Sequence, residues 1–427
     1  MDTPILGQNS MKKPLISIVM LNYNRPVLGG LVLESLEKQV SKNFEVILID
    51  NGSNDSISQD IISNLSFPIT TLRINKKLIN LQLSAGLKIA SGQIIMPFFA
   101  DDDFLLPITT SVIEKVFTEN PNIELLSLGT ANLDLTNYNI SKNCDDKEFY
   151  TGNVTGHSAR EVALSYFSIW GLGEEKKSTL KVSGHPSGTV VTRGLIERTV
   201  KKQGDLYFGQ FSDVSFLGLM FYTKHLYSID LPLVLIGGNH PQDSSLMRNY
   251  YGEKRSAAEK KNRFNWDYLA EYLTFSPVKA ITHFNLGLDN HIQVLKANNF
   301  DVSIPDDIRI DFYFNHMNEI LRDDPWTDRS ETDFNEALFH LENALKRQNV
   351  LSHNDILNQF VAIKNKHVDN LADKVNEEEL VNEQVKEHEY DPSIIQVLLE
   401  TINNEISSDL QITFIPPPKV IDYQILE

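Results

Sequence analysis

Three consecutive aspartates, Asp101, Asp102 and Asp103, close an apolar run and stand shortly before Pro107. Clustered carboxylates after a buried strand offer hard oxygen ligands to a magnesium or manganese ion, and an ion held there would in turn hold a diphosphate. The same residues would also serve an exposed acidic loop or a helix N-cap. Asp50 ends an earlier apolar run and is followed by Asn51, Gly52 and Ser53. Its carboxylate could accept a hydrogen bond from a base or ribose while the turn lets backbone approach a ligand. Asp-Asn-Gly is equally an ordinary turn. Tyr23, between Asn22 and the pair Asn24 and Arg25, is either a ring that stacks on a base or a residue that packs the first loop.

These residues need a scaffold that brings them together. Leu15 to Leu21 reads LISIVML and Phe44 to Asp50 reads FEVILID, runs without polar alternation, as expected of parallel strands buried on both faces. Helical patterns over Val27 to Gln39 and Ser56 to Leu65 alternate with these strands and with Ile69 to Ile74, giving βαβαβ. A helix over Ile79 to Ala90 stops at Gly92, and IIMPFF from Ile94 to Phe99 leads into the aspartates. The polar clusters thus follow strand ends, where ligands of open α/β sheets bind.

From about Asn132 to Lys181 the pattern weakens, and Ser183 to Arg193 reads as a loop entering a strand. Helices are expected over Gly194 to Gln203 and Asp213 to Tyr222, then a short strand pair, HLYSID and LVLIG, ending near Gly238. Beyond about residue 250, Phe264 to Leu273, Phe334 to Arg347 and Ile356 to Val368 carry apolar residues at helical spacing. The Glu-rich stretch Asn376 to Glu389 reads as a solvated helix face or linker. The expected organisation is an extension over 1–13, a catalytic domain over 14–250, and a mainly helical region over 251–427 that binds acceptor or self-associates.

A formal charge of -18 over 427 residues disfavours nucleic acid and anionic lipid surfaces, both of which need Lys and Arg to replace counterions. The single cysteine, Cys144, allows no intrachain disulfide. No run approaches the roughly 20 apolar residues of a membrane-spanning helix, and Met1 to Pro14 lacks a signal-peptide core. A cytoplasmic setting is expected, peripheral to a membrane where the acceptor is membrane-bound.

The order SIVMLNYNR, VILIDNGSND, SAGLKIASGQIIMPFFADDDFLLP resembles the family 2 glycosyltransferases, clearly over Pro14 to Pro107 and more faintly through Gly204 to Phe216. The resemblance implies the A-type nucleotide-sugar transferase fold, an α/β fold with a Rossmann-like, mostly parallel sheet flanked by helices. It implies that Tyr23 stacks on the donor base, that Asp50 hydrogen-bonds it, and that Asn22, Asn24 and Arg25 share the donor loop. Asp101 would contact ribose or the ion, Asp102 would take the principal metal position, and Asp103 would ligate or orient the loop. His240, after the last strand, would complete the shell of Mn²⁺ or Mg²⁺.

The implied chemistry is inverting transfer of a sugar from a nucleotide diphosphate donor, UDP-sugar by family default, to a hydroxyl on a glycan, lipid-linked or protein-linked acceptor. Asp213, opening VSFLGLMF, is the candidate base, with helix N-capping as its other reading. The chain departs from the family pattern at Ala100, Asn51 and Ser212, where acidic residues are common, and at Ser84, where asparagine is. Two other functions compete: a degenerate sugar-nucleotide scaffold, and a nucleotidyltransferase. The latter normally has a Gly-rich basic loop that LNYNRPVLGG lacks.

Overall fold

The computed structural model describes residues 14–74, 79–142, 151–169, 185–208, 214, 216–238, 283–300, 339, 358, 391–407 and 410–415. The first half follows the expected alternation: β1 (Ile16–Asn22), α1 (Pro26–Glu37), β2 (Phe44–Asp50), α2 (Gln59–Ser63), β3 (Ile69–Arg73), α3 (Ile79–Ile89) and β4 (Ile94–Phe99). Pro26 starts α1, where its missing N–H costs nothing and its fixed φ favours the first turn. That helix buries Leu28, Val32, Leu33 and Leu36 against the sheet.

After the aspartates come β5 (Phe104–Leu105), α4 (Thr109–Glu119), β6 (Leu125–Asp134), β7 (Ile140–Lys142), β8 (Asn153–Ser158) and α5 (Ala159–Ile169). A 3-10 turn at Pro186–Gly188 enters β9 (Thr189–Thr192), followed by α6 (Arg193–Gln203) and a second 3-10 turn, Phe216–Phe221. The expected strand pair is one continuous strand, β10 (His225–Gly238), with irregular register around Pro232. The apolar stretch before it is a 3-10 turn over its described part, because Phe216 to Phe221 is buried all round and has no polar face to give a longer amphipathic helix.

With a last short strand, β11 (Thr413–Ile415), the strands form one sheet in the order β11-β8-β10-β6-β9-β4-β1-β2-β3, with β5 paired to β10 and β7 to β6. It is parallel through β4-β1-β2-β3 and mixed beyond, since β9 runs antiparallel to both β4 and β6 while β10 runs parallel to β6. One core lies on each face: Val19, Ile47, Ile49 and Ile95 point to one side, and Ile18, Met20, Val46, Leu48 and Met96 to the other. This alternation is the period-2 geometry of strands covered on both faces.

Late segments return to this sheet. Helix α7 (His283–Ala297) buries Leu288, Ile292, Val294 and Leu295 in the first core. Helix α8 (Pro392–Ser407) lays Ile395, Leu399 and Ile406 on the second, and β11 (Thr413–Ile415) pairs in parallel with β8. Asn403 Oδ1 accepts the backbone N–H of Ile108, 3.0 Å away, an otherwise orphaned donor at the start of α4. Residues beyond 390 therefore help complete the layer beneath the aspartate loop. The helices expected over Phe264 to Leu273, Phe334 to Arg347 and Ile356 to Val368 lie outside the described residues, apart from single positions. Among the described residues no helix is long and apolar enough to cross a membrane.

Leu399 is 5% exposed. Replacing it with alanine should cost about 2 to 5 kcal/mol in chemical denaturation, the usual range for a buried leucine. Unchanged stability would show that α8 does not cover the core in solution.

Candidate functional site

The carboxyl ends of β4 and β1 are neighbours in the sheet, although the chain visits β2 and β3 between them. That reversal of strand order is the topological switch point, where two loops part and leave a crevice. Asp101, on the β4 side, ties the two loops together. Its Oδ2 accepts the Tyr23 backbone N–H at 3.0 Å and Asn22 Nδ2 at 3.1 Å, while Oδ1 accepts Arg25 Nη1 at 3.0 Å. The same Nη1 reaches Asp102 Oδ2 at 2.6 Å.

The β1 loop is itself stitched to the β2 loop. Asn24 adopts φ 51, a left-handed conformation that Asn tolerates better than most residues. Its N–H donates to Ser53 Oγ at 2.9 Å and its Oδ1 accepts the Asn54 N–H at 2.7 Å. Asn22 Nδ2 also lies above Gly29 of α1, where an added Cβ would sit 2.5 Å from it. A larger residue there would push Asn22 off the aspartate.

Asp50 closes β2 with a full set of donors. Oδ1 accepts the Ser53 N–H at 2.8 Å, and Oδ2 accepts Ser56 Oγ at 2.6 Å and Arg73 Nη1 at 3.1 Å. Burial alone would raise its pKa, but Ser56, Ser53 and Arg73 together hold it below the ordinary aspartate value. Arg73 and Ser56 carry no motif in the sequence. Arg73 ends β3 opposite Asp50 by strand register, so only the pairing of β2 with β3 could have revealed it.

The three aspartates differ in surroundings. Burial, then the charge of Asp102, push the Asp101 carboxyl up to about 6, against the pull of Arg25 and the Tyr23 N–H. Asp103 is pushed well above the usual range by burial and by Asp102. Its Oδ1 accepts the Gly237 N–H at 3.2 Å, which fastens the loop to the end of β10. Its Oδ2 is buried without a hydrogen-bond partner, although the Ser187 hydroxyl is near enough to ease the charge. Gly237 is required at that contact, since a Cβ would stand 2.0 Å from the Asp102 carbonyl oxygen.

Among the described residues no three His, Cys, Asp or Glu side chains converge as a metal site. Asp101 and Asp102 nevertheless share one cation already, the Arg25 guanidinium, and their hard oxygens suit a small divalent ion. Asp213 and His240 lie outside the described residues. Asp205, a few residues before Asp213, is already engaged: its Oδ1 accepts Ser84 Oγ at 2.9 Å and the Leu206 N–H at 2.6 Å. Tyr207 is buried and donates to the Pro97 carbonyl at 2.5 Å, so it packs the core rather than offering a face to sugar. His157 pairs with Ser228 at 2.8 Å on β8, away from the crevice strands.

Residues 17–166 match the family model "Glycosyl transferase family 2". That segment, which holds β1 to β8 and the aspartates, is similar to the family 2 glycosyltransferases. An uncharacterized glycosyltransferase of Haemophilus influenzae is 32% identical over 114 residues, 26% of this chain and 37% of that protein. The chain thus spans little more than a third of that relative's length. Among solved structures, S. aureus TarS 1-349 is 12% identical over 83% of this chain and 92% of its own, with a TM-score of 0.41. The mannosyltransferase PcManGT from Pyrobaculum calidifontis, solved with GDP-Man and Mn²⁺, is 13% identical over 95% of this chain and 89% of its own, with a TM-score of 0.37. Likenesses this distant carry no argument about this chain.

Asp103→Asn keeps an acceptor for Gly237 and sheds a buried charge, so it should leave the unfolding free energy of the domain unchanged or raise it. Asp103→Ala, which strands the Gly237 N–H, should cost about 1 to 3 kcal/mol. Thermal and denaturant unfolding measure both. Equal losses in the two variants would mean that Asp103 acts through its charge.

Proposed function

We propose that the chain transfers a sugar from a nucleotide diphosphate donor, UDP-sugar favoured, to a hydroxyl acceptor with inversion at the anomeric carbon. The observation that carries this reading is the set of hydrogen bonds joining the β4 and β1 loops at the switch point, within the matched family segment. A ligand seated there meets Tyr23 and Asp50 on one side and the aspartates on the other, an arrangement suited to a base at one end and a diphosphate at the other.

In this reading Tyr23 stacks on the base, and Asp50, held in place by Ser53, Ser56 and Arg73, hydrogen-bonds it. Asn22 and Asn24 hold the loop in shape. Asp101 and Asp102 face the ribose and diphosphate, and they with His240 would hold Mn²⁺ or Mg²⁺, which would stabilise charge on the departing diphosphate. Asp103 anchors the loop from behind through the Gly237 N–H.

The acceptor oxygen attacks the anomeric carbon as the bond to the diphosphate breaks, and Asp213 takes the hydroxyl proton. The acceptor is a glycan, lipid-linked or protein-linked, reached from the cytoplasmic side. Residues 251–427 contribute acceptor capture or self-association along with the core contacts of α7, α8 and β11.

A screen of purified protein against nucleotide sugars, with and without manganese, should find donor hydrolysis or transfer with one donor class. Binding without turnover on any acceptor would favour the scaffold reading instead. With a working acceptor, Asp213→Asn should bind donor normally and turn over about 10² to 10⁴ times more slowly, as expected on losing a positioned base. Near-native turnover would return Asp213 to helix capping.

A further inference from the structure

We propose that Arg25 is a resident counter-cation that competes with a divalent metal for Asp101 and Asp102, so that metal enters readily only when a nucleoside diphosphate draws the guanidinium away. The inference rests on the nucleotide-sugar reading above. It concerns how the site guards itself before the donor arrives.

The geometry is that of an occupied cation position. One nitrogen, Arg25 Nη1, lies 3.0 Å from Asp101 Oδ1 and 2.6 Å from Asp102 Oδ2, bridging one oxygen from each carboxylate. The three side chains are 13%, 11% and 15% exposed, so solvent screens this cluster far less than a surface pair. Two adjacent carboxylates in such a place repel each other unless a cation sits between them. A metal arriving alone must therefore displace a guanidinium that is already well paired, and breaking such a pair is costly when the freed charge has no new partner.

The backbone around Arg25 is fixed from both sides. Asn24 is held in its left-handed conformation by the β2 loop, Asn22 Nδ2 donates to the Arg25 carbonyl at 3.2 Å, and Pro26 begins α1 directly after it. The guanidinium is thus delivered to the aspartates from a rigid base, with a long side chain that can swing. A diphosphate gives it an alternative anion, since the planar fork of arginine matches phosphate oxygens. Metal and nucleotide then favour each other's binding reciprocally, with Arg25 as the exchanged group.

Calorimetry on the full chain tests this, with MnCl₂ titrated in the absence and presence of UDP. The wild type should take up manganese weakly alone and more tightly with UDP. Arg25→Gln should bind manganese alone about tenfold or more tightly than wild type, and the enhancement by UDP should shrink, a change within the usual range of coupling between sites. Arg25→Lys, which keeps the charge but loses the fork, should shift in the same direction by less and serves if the glutamine variant does not fold. Lys38→Gln removes an exposed positive charge at the end of α1 and should leave manganese affinity alone unchanged, which separates local competition from general electrostatics. Equal manganese affinity in wild type and both Arg25 variants, including none in any, overturns the inference. If the Arg25 variants gain manganese affinity but UDP binds none of the proteins, the competition at the aspartates stands and the nucleotide reading fails.

Discussion

The crevice depends on one buried carboxylate. Asp101 sits just after β4 and accepts hydrogen bonds from the backbone of Tyr23 and the side chains of Asn22 and Arg25, at the end of β1 and in the loop after it. Desolvation makes its charge expensive, and these donors are what allow it to be held there. The two loops are consequently locked in mutual position, and the polar ends of separate strands become one surface. A carboxylate used this way organises the site before it touches any ligand.

The rest of the architecture supports that lock from below and behind. Behind the aspartates, Asp103 and Gly237 join the loop to the end of β10, a strand whose other edge carries β8 and then β11 from near the end of the chain. Below them, α4 starts from an N–H that Asn403 accepts, so α8 contributes to the same layer. The segment that begins with family-like strands and the segment that follows residue 390 are thus one packed body around the sheet. Sequence distance is a poor guide to which residues steady the loop.

Much of this was legible in the residues. The uninterrupted apolar runs marked β1, β2 and β4 because strands covered on both faces need no alternation, and the polar clusters after them marked the crevice. Other features were hidden for physical reasons. Strand β8 alternates weakly between buried and half-buried residues, NVTGHS, and borrows its apolar environment from β10 and β11 rather than from its own composition. Arg73 is an unremarkable strand residue until pairing puts it beside Asp50. Arg25 was legible as a loop residue near a donor, but its bridging of two aspartates 76 and 77 positions away depends on strand order that no local pattern encodes. The division of labour among the three aspartates likewise follows from what each one faces.

We propose that the β4–β1 crevice receives a nucleoside diphosphate. A crystal structure of the full chain grown with UDP and manganese tests it most directly. The expected density places the base against Tyr23 and Asp50 with the diphosphate toward Asp101 and Asp102. A nucleotide bound at a different place, with Arg25 still bridging the aspartates and the crevice free of ligand, would contradict it.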